Sequence, residues 1–234
     1  MLKYLKFLYF TFYRTKIFFP KKSYSLFQED LFIKNYFRNK SKGFYIDVGC
    51  YHPLEGNNTH LLHAKGWKGM NLDINFYSIE MFKFLRKKDI NIHSGISLKK
   101  EKLKMYYRKE INMLNTLDKK IAKIHFRNGF KKRNVQVNTL NYFISKYFKK
   151  LEKIDFLNID VEGVELNVLK SLNFKQYKPQ LVCIEIHNSK NMYDTNYDYL
   201  KSNSIYKYLI NKKYKVVWKK KYSFIFERKN DKKN

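Results

Sequence analysis

The chain is short of cysteine, of acidic residues and of long apolar runs, and each shortage removes a class of protein. Two cysteines, Cys50 and Cys183, make neither a disulfide framework nor a zinc pattern. Buried, reduced thiols in a cytoplasmic protein are the expectation they leave. In the opening stretch MLKYLKFLYFTFYRTKIFFP the longest uncharged run is Phe7 to Tyr13, far short of the roughly 20 residues a membrane-spanning helix requires. The same stretch lacks the small residues of a signal-cleavage site. Lys3, Lys6, Arg14 and Lys16 among its aromatics suit peripheral contact with the inner face of a membrane, packing on the domain, or pairing with another subunit. No internal repeat is present.

Acidic residues number 20 against 49 Lys and Arg, a formal charge of +29. Such a surface attracts nucleic acid, anionic membrane or acidic glycan. The bases are dispersed, however, and accompany abundant Asn, Ile, Phe and Tyr, a composition that a low G+C genome imposes without selecting any partner. With 234 residues, 44% of them hydrophobic and 18% aromatic, one α/β domain plus a modest extension is expected. The expected layout is a basic, aromatic extension and helix over 1–41, the main domain over 42–228 and a disordered basic tail over 229–234.

Strand and helix signals alternate along that domain. Leu26, Phe27, Leu31, Phe32, Tyr36 and Phe37 give Ser25 to Arg38 a helical rhythm that begins at a Ser cap. Strands are predicted at Phe44 to Val48, Met70 to Leu72, Ile90 to His93, Ile154 to Ile159 and Leu181 to Ile186. Helices are predicted at Asn58 to Ala64, Ser78 to Arg86 and Val164 to Leu172. Lys102 to Tyr107 reads as a local antiparallel strand and Val135 to Val137 as another, with Asn138 or Thr139 capping a helix that runs to Phe148. Residues 108 to 133 are basic and irregular, a loop or lid over a site. A helix over Tyr197 to Asn211 and a hairpin of Tyr214 to Trp218 with Ser223 to Phe226 close the chain.

Two of these strands end in carboxylates, Ile46-Asp47-Val48-Gly49-Cys50 and Met70-Asn71-Leu72-Asp73. Parallel strands whose carboxyl ends carry a glycine turn and a second acid form a nucleotide-binding crevice. The glycine admits a ligand to the backbone, and the acid accepts hydrogen bonds from ribose hydroxyls. The first turn, Gly49-Cys50-Tyr51-His52-Pro53, lacks the GxGxxG that cradles a pyrophosphate. That favours a cofactor without phosphates, such as S-adenosylmethionine. βα units followed by a terminal hairpin predict an α/β fold: the Rossmann-like doubly wound sheet of class I methyltransferases, mostly parallel, seven-stranded and ending in an antiparallel hairpin.

Further motifs follow in a fixed order: Ser25-Leu26-Phe27-Gln28-Glu29-Asp30, Asp47 to Pro53, Asn57-Asn58-Thr59, Gly66-Trp67-Lys68-Gly69-Met70-Asn71-Leu72-Asp73 and Asp160-Val161-Glu162-Gly163-Val164-Glu165. In this the chain resembles FkbM-type methyltransferases over roughly residues 23 to 188, and Leu114-Asn115-Thr116-Leu117 and Val137-Asn138-Thr139-Leu140 resemble intervening signatures of that family. Cys50 stands where the family usually has alanine, and the Ser-Leu-Phe-Gln order blurs the first motif. The resemblance implies transfer of the sulfonium methyl group of S-adenosylmethionine to a hydroxyl of a sugar, glycan or related metabolite. It also implies a cofactor site of Asp47, Gly49, Cys50, His52, Asp73, Ile74, Ser94, Gly95, Ile96 and Asp160. The methionyl part would face Asp47 and Gly49, the ribose Asp73, and the adenine Ser94-Gly95-Ile96. Asp47 can instead anchor turn amides, and His52 can reach either cofactor or acceptor. Gln28, Glu29 and Asp30 would close the site from the N-terminal helix, with Asn58 and Thr59 on the substrate side, and Trp67 reads as core packing.

Displacement on an activated sulfonium gains mainly from alignment and desolvation. An alkyl hydroxyl is nevertheless a poor nucleophile until its proton is removed. Asp160, Glu162, Glu165, Glu185 and His187, at the ends of the fourth and fifth core strands, are the candidate catalytic residues. Glu165 falls in a first helical turn, where the helix dipole alone favours a carboxylate. Glu185 and His187 alternate with Ile184 and Ile186, so they face one side as base and orienter, although a polar residue at a sheet edge is the plainer role for His187. Asp160, Glu162 and Glu185 are also candidate ligands for Mg2+ that would position vicinal hydroxyls.

The expected acceptor is a sugar or glycan, anionic or lipid-linked. The competing readings, an RNA methyltransferase or a nucleic-acid-binding protein, draw on the basic surface. No Asn/Asp-Pro-Pro-Tyr motif follows the fourth strand and no RNA-binding module is recognisable, which weighs against the first, and the intact acids weigh against the second.

Overall fold

Phe44-Tyr45-Ile46-Asp47-Val48 is apolar except for one acid, and a strand of that kind is stable only with both faces covered. In the computed structural model, which describes residue 9 and residues 21–151, 153–187 and 197–229, it forms the buried centre of a sheet. The described elements begin with α1 (Glu29–Tyr36), β1 (Phe44–Val48), α2 (His60–Ala64), β2 (Lys68–Asp73), α3 (Phe76–Leu85), β3 (Ile90–His93) and β4 (Gly95–Ile96). They continue with β5 (Glu101–Tyr107), α4 (Lys119–His125), β6 (Lys131–Asn138), α5 (Leu140–Tyr147), β7 (Phe156–Ile159), α6 (Glu165–Lys170) and β8 (Leu181–Glu185). Then come α7 (Tyr197–Ser202), α8 (Ser204–Asn211), β9 (Tyr214–Lys220) and β10 (Ser223–Arg228).

The seven-stranded sheet runs β3-β2-β1-β7-β8-β10-β9. β3, β2, β1, β7 and β8 are parallel, and β10 is antiparallel to both of its neighbours. This is the mixed α/β, mostly parallel sheet of a Rossmann-like methyltransferase fold. The chain runs outward from β1 to β3 and later returns to β1's other side as β7, so a topological switch lies between β1 and β7. Ligands in open α/β sheets bind outside the strand ends at such a point. Register sets the height of the ends: Val48 lies opposite both Leu72 and Ile159, so Gly49, Asp73 and Asp160 emerge together.

Alternation assigns the two faces. Ile46 and Val48 join Leu157, Ile159, Val182 and Ile184 in one core beneath Leu140, Ile144, Val168, Leu169 and Leu209 of α5, α6 and α8. Tyr45, Phe156, Leu181, Cys183 and Ile225 form the other core with Ile33 of α1, Phe37 just after that helix, Leu62 of α2 and Trp67. Each such side chain contributes about 1.5–3 kcal/mol when fully buried. Trp67 packs edge-on against Phe37 with ring centroids 4.9 Å apart, as core.

Three local expectations need correction. The first helix starts at Glu29, not at Ser25: the hydroxyls of Ser23 and Ser25 donate to Asp30 Oδ1 (2.6 and 2.8 Å), and Ser25 Oγ accepts from the Asp30 amide, so both serines stand outside the helix as partners of its first turn. The expected helix over 197–211 is two, because the Asn203 side chain accepts from Ile205 N and caps α8. Residues 108–133 are not one loop. Asp118 caps α4 through the amides of Lys120 and Ile121, and β6 pairs with β4 and β5 in a three-stranded side sheet, with Val135 and Val137 buried. Residues 1–8, 10–20 and 230–234, where membrane contact and the basic tail were expected, lie outside the described residues. No helix among the described residues is long and apolar enough to cross a membrane.

Candidate active site

The turns after β1, β2, β3 and β7 converge on a cleft of about 620 Å³, its open mouth included. Its floor is Gly49, Asp73, Ile74, Ser94, Gly95, Ile96 and Asp160, and its roof Asn112, Met113, Asn115 and Leu117. Gly49 is required twice over: its φ is +80°, and a Cβ there would lie 1.7 Å from the Asp160 carbonyl oxygen. Asp73 accepts from the backbone amides of Tyr51 (2.8 Å) and Asn75 (2.7 Å), which leaves lone pairs on both oxygens for a ligand. Burial pushes its carboxyl up to about 6 against the pull of those amides. Ser94 donates its hydroxyl to the Gln136 carbonyl, so it lines the cleft with that donor already engaged.

Asp47, Cys50 and His52 do not line the cleft. Asp47 is fully buried beneath it and accepts from Asn158 Nδ2 (2.8 Å), Thr59 Oγ1 (2.8 Å) and Asn57 Nδ2 (3.3 Å). Burial pushes its pKa up, with Asn158 and the charge of Arg86 opposing. Arg86, 1% exposed, donates to Thr59 Oγ1, Asn57 Oδ1, the Pro53 carbonyl and Tyr45 Oη, so that one guanidinium clamps residues 53–59 onto β1. Asp47 therefore does the plainer job of anchoring, in a network that also takes in Thr59. Cys50 packs on Ile79 and Phe82. His52 accepts from the Leu54 amide through Nδ1 and shapes the turn. Asn58 donates to Asn158 Oδ1 (2.9 Å), which points it at the anchoring network instead of a substrate. Gln28 is exposed at the start of α1, and Asp30 is spent on Ser23, Ser25 and the Tyr24 amide.

On the other side of the Asp160 backbone the acids gather. One carboxylate oxygen from each of Asp160, Glu162 and Glu185 lies within 4.8 Å of the other two. The sharp bend that brings Glu162 back is left-handed at both Glu162 (φ 55°) and Gly163 (φ 104°). Glu185 Oε2 lies 2.8 Å from His187 Nε2, and the His187 ring lies against Tyr222 with centroids 4.5 Å apart. Glu165 accepts from the Gly163 amide (2.9 Å) at the start of α6, a helix-terminal role. Glu29, held by the Phe27 amide, adds its field to Asp160 and Glu185. Burial and then repulsion from neighbouring acids push Asp160 and Glu162 well above the usual carboxylate range, and burial with the charges of Glu165 and Glu29 pushes Glu185 up to about 8. Burial lowers the His187 pKa, which keeps its ring neutral at neutral pH. The arrangement can accept a proton at His187 and bind hydroxyls at the carboxylates. The three acids also have the hard oxygen chemistry of a divalent-cation site.

A model of the methyltransferase FkbM domain matches residues 47–214. The chain belongs to the FkbM methyltransferase family. Among curated proteins none matches it. Membership makes it a methyltransferase and implies S-adenosylmethionine as methyl donor, and the cleft of this FkbM-type enzyme fits that group. Gly49 leaves backbone room that a Cβ would fill, Asp73 has free lone pairs, and the buried Asn115 amide has no protein partner. Arg86 and His125, whose Nε2 lies 3.7 Å from Glu162 Oε2, escaped the sequence reading, and Asn115 entered it only within a family signature, with no role assigned. Arg86 sits at the end of a helix with no local sign of burial, and the other two fall in the stretch without periodicity.

Proposed function

We propose that this methyltransferase is an O-methyltransferase acting on a hydroxyl of a sugar or glycan, with His187 as the proton acceptor. The observation that carries the reading is the Glu185–His187 pair at 2.8 Å in an acid cluster that shares Asp160 with the cofactor cleft. S-adenosylmethionine, when bound, would supply an electrophilic methyl group. Gly49, Asp73, Ile74 and Ile96 would hold it, and the roof from Asn112 to Leu117 would exclude water. Neutral His187 takes the acceptor's hydroxyl proton at Nδ1, and Glu185, hydrogen-bonded to Nε2, orients the ring. Asp160 and Glu162 accept hydrogen bonds from neighbouring hydroxyls, a role that suits a polyol. The formal charge of +29 favours an anionic or lipid-linked acceptor.

Methyl transfer from labelled S-adenosylmethionine to anionic oligosaccharides, to lipid-linked oligosaccharides and to RNA is the test, run with and without EDTA. His187→Ala should keep its affinity for S-adenosylhomocysteine and lose turnover by about 10²–10⁴-fold. Turnover on RNA alone, or an unchanged rate in His187→Ala, overturns the proposal. Inhibition by EDTA that Mg2+ restores would move Asp160, Glu162 and Glu185 to the role of metal ligands.

A further inference from the structure

We infer that Asn115 reads the base of the cofactor: its carboxamide pairs with the 6-amino group of adenine and with the ring nitrogen beside it. The inference rests on the S-adenosylmethionine reading above and names the residue that makes the site adenine-specific. Asn115 lies on the strap of residues 108–118 that roofs the cleft. Asn75 Nδ2 donates to the Glu110 carbonyl at one end of the strap (2.5 Å), and Thr116 Oγ1 donates to the Glu162 carbonyl near the other (2.6 Å). Thr116 and Tyr106 also exchange both backbone hydrogen bonds. The strap is thus held in place, and what faces down from it is set by the fold.

Two of those downward residues flank Thr116. Leu117 comes within 3.1 Å of where a Cβ on Gly95 would sit, beside Ile74, and with Ile96 and Val164 these side chains bound an apolar slot next to Asp73. Asn115 is 7% exposed and lines the same cleft, yet neither its Oδ1 nor its Nδ2 has a hydrogen-bond partner. Buried polar groups in native proteins are almost always paired, so an amide with both ends unmet in a ligand cleft is paired by the ligand. A slot that is apolar on its faces, with an acid at the ribose end and a donor–acceptor amide at its rim, matches a flat heterocycle that carries a donor beside an acceptor. Adenine presents that pair, and an Asn amide meets it with two hydrogen bonds. The Asn115 carboxamide makes no hydrogen bond in the ligand-free fold, which separates it from the anchoring amides of Asn57, Asn58 and Asn158.

Calorimetry of the native protein and of Asn115→Leu, with S-adenosylhomocysteine and with its 6-deaminated purine counterpart, tests this. Asn115→Leu should weaken S-adenosylhomocysteine about 30-fold and the deaminated ligand less than about 3-fold. The ligand-free variant should melt no lower than the native protein, because the substitution removes an unsatisfied amide. Equal affinity for S-adenosylhomocysteine, or the same loss for both ligands, overturns the role of Asn115. A variant that melts lower overturns it too, since the amide would then be structural. Should the Leu variant fail to fold, Asn115→Asp, which keeps an acceptor and loses the donor, takes its place with an expected loss of about tenfold. A native protein that binds neither ligand overturns the cofactor reading itself, an outcome distinct from native binding that the variants leave untouched.

Discussion

Replacing Arg86 by Met removes the guanidinium that holds the first cleft turn together, and with it the cation–π contact to the Phe82 ring, while keeping most of the buried volume. Four hydrogen bonds go with it, to Thr59, Asn57, the Pro53 carbonyl and Tyr45, and the positive charge that offsets buried Asp47 goes as well. Charge-assisted hydrogen bonds contribute about 1.5–3 kcal/mol each, but four from one group do not add. Loss of one partner from a buried charge network costs about 3–5 kcal/mol, because the remaining charge is left desolvated. For a chain of this size that corresponds to a fall in Tm of about 6–20 °C. Urea unfolding of Arg86→Met against the native protein measures it, and adding Asp47→Asn closes a double-mutant cycle. The double variant should lose less than the sum of the single losses, since neutralising Asp47 removes the charge that Arg86 answered. A single-variant loss below about 1 kcal/mol, or strict additivity, would refute the clamp.

Two further outcomes follow from the geometry of the cleft and the acid cluster. Gly49→Ala should lose both stability and S-adenosylhomocysteine binding, because its Cβ would lie 1.7 Å from the backbone oxygen of Asp160 and neither chain can yield cheaply; a variant that unfolds and binds like the native protein would show the turn to be soft. The Glu185 carboxyl sits at about 8 in the folded protein against 4.5 for an ordinary glutamate, so the folded state holds a proton that the unfolded chain releases. Its contribution to stability is therefore full below about pH 4.5 and is lost as pH rises through about 8. Thermal melts of the ligand-free protein should fall over that window, and Glu185→Gln should flatten the slope and melt higher than the native protein at pH 8; an unchanged slope would mean that Glu185 titrates normally.

The sheet was legible because each of its central strands is a short window of apolar residues closed by a polar one. β1 forms over the stretch expected of it, Phe44–Val48, because burial on both faces leaves no polar alternation to blur its ends, and β3, at the edge of the sheet, forms over Ile90–His93, where isoleucines alternate with polar residues. The same windows carry the acids at those ends, so Gly49, Asp73 and Asp160 were recognisable as cleft residues before any geometry. Helix ends were less legible where side chains had competing partners, as when Asp30 took the hydroxyls of Ser23 and Ser25. Side-sheet strand β6 was seen only in part, because Lys131 to Asn134 are exposed and carry no apolar alternation.

The amino-acid order alone determined the fold class, the crevice at the strand ends, the family and the acids available to it, because these depend on hydrophobic period and on motifs a few residues long. Tertiary structure alone decided which polar groups meet. Asp47 is satisfied by residues 10, 12 and 111 positions away and so lies under the cleft, whereas Asn115 is enclosed with nothing to bond. The alternation of a strand says that a side chain faces one side or the other. What waits on that side is set by chain segments brought in from elsewhere, and with it whether a buried polar atom anchors the fold or is kept for a ligand.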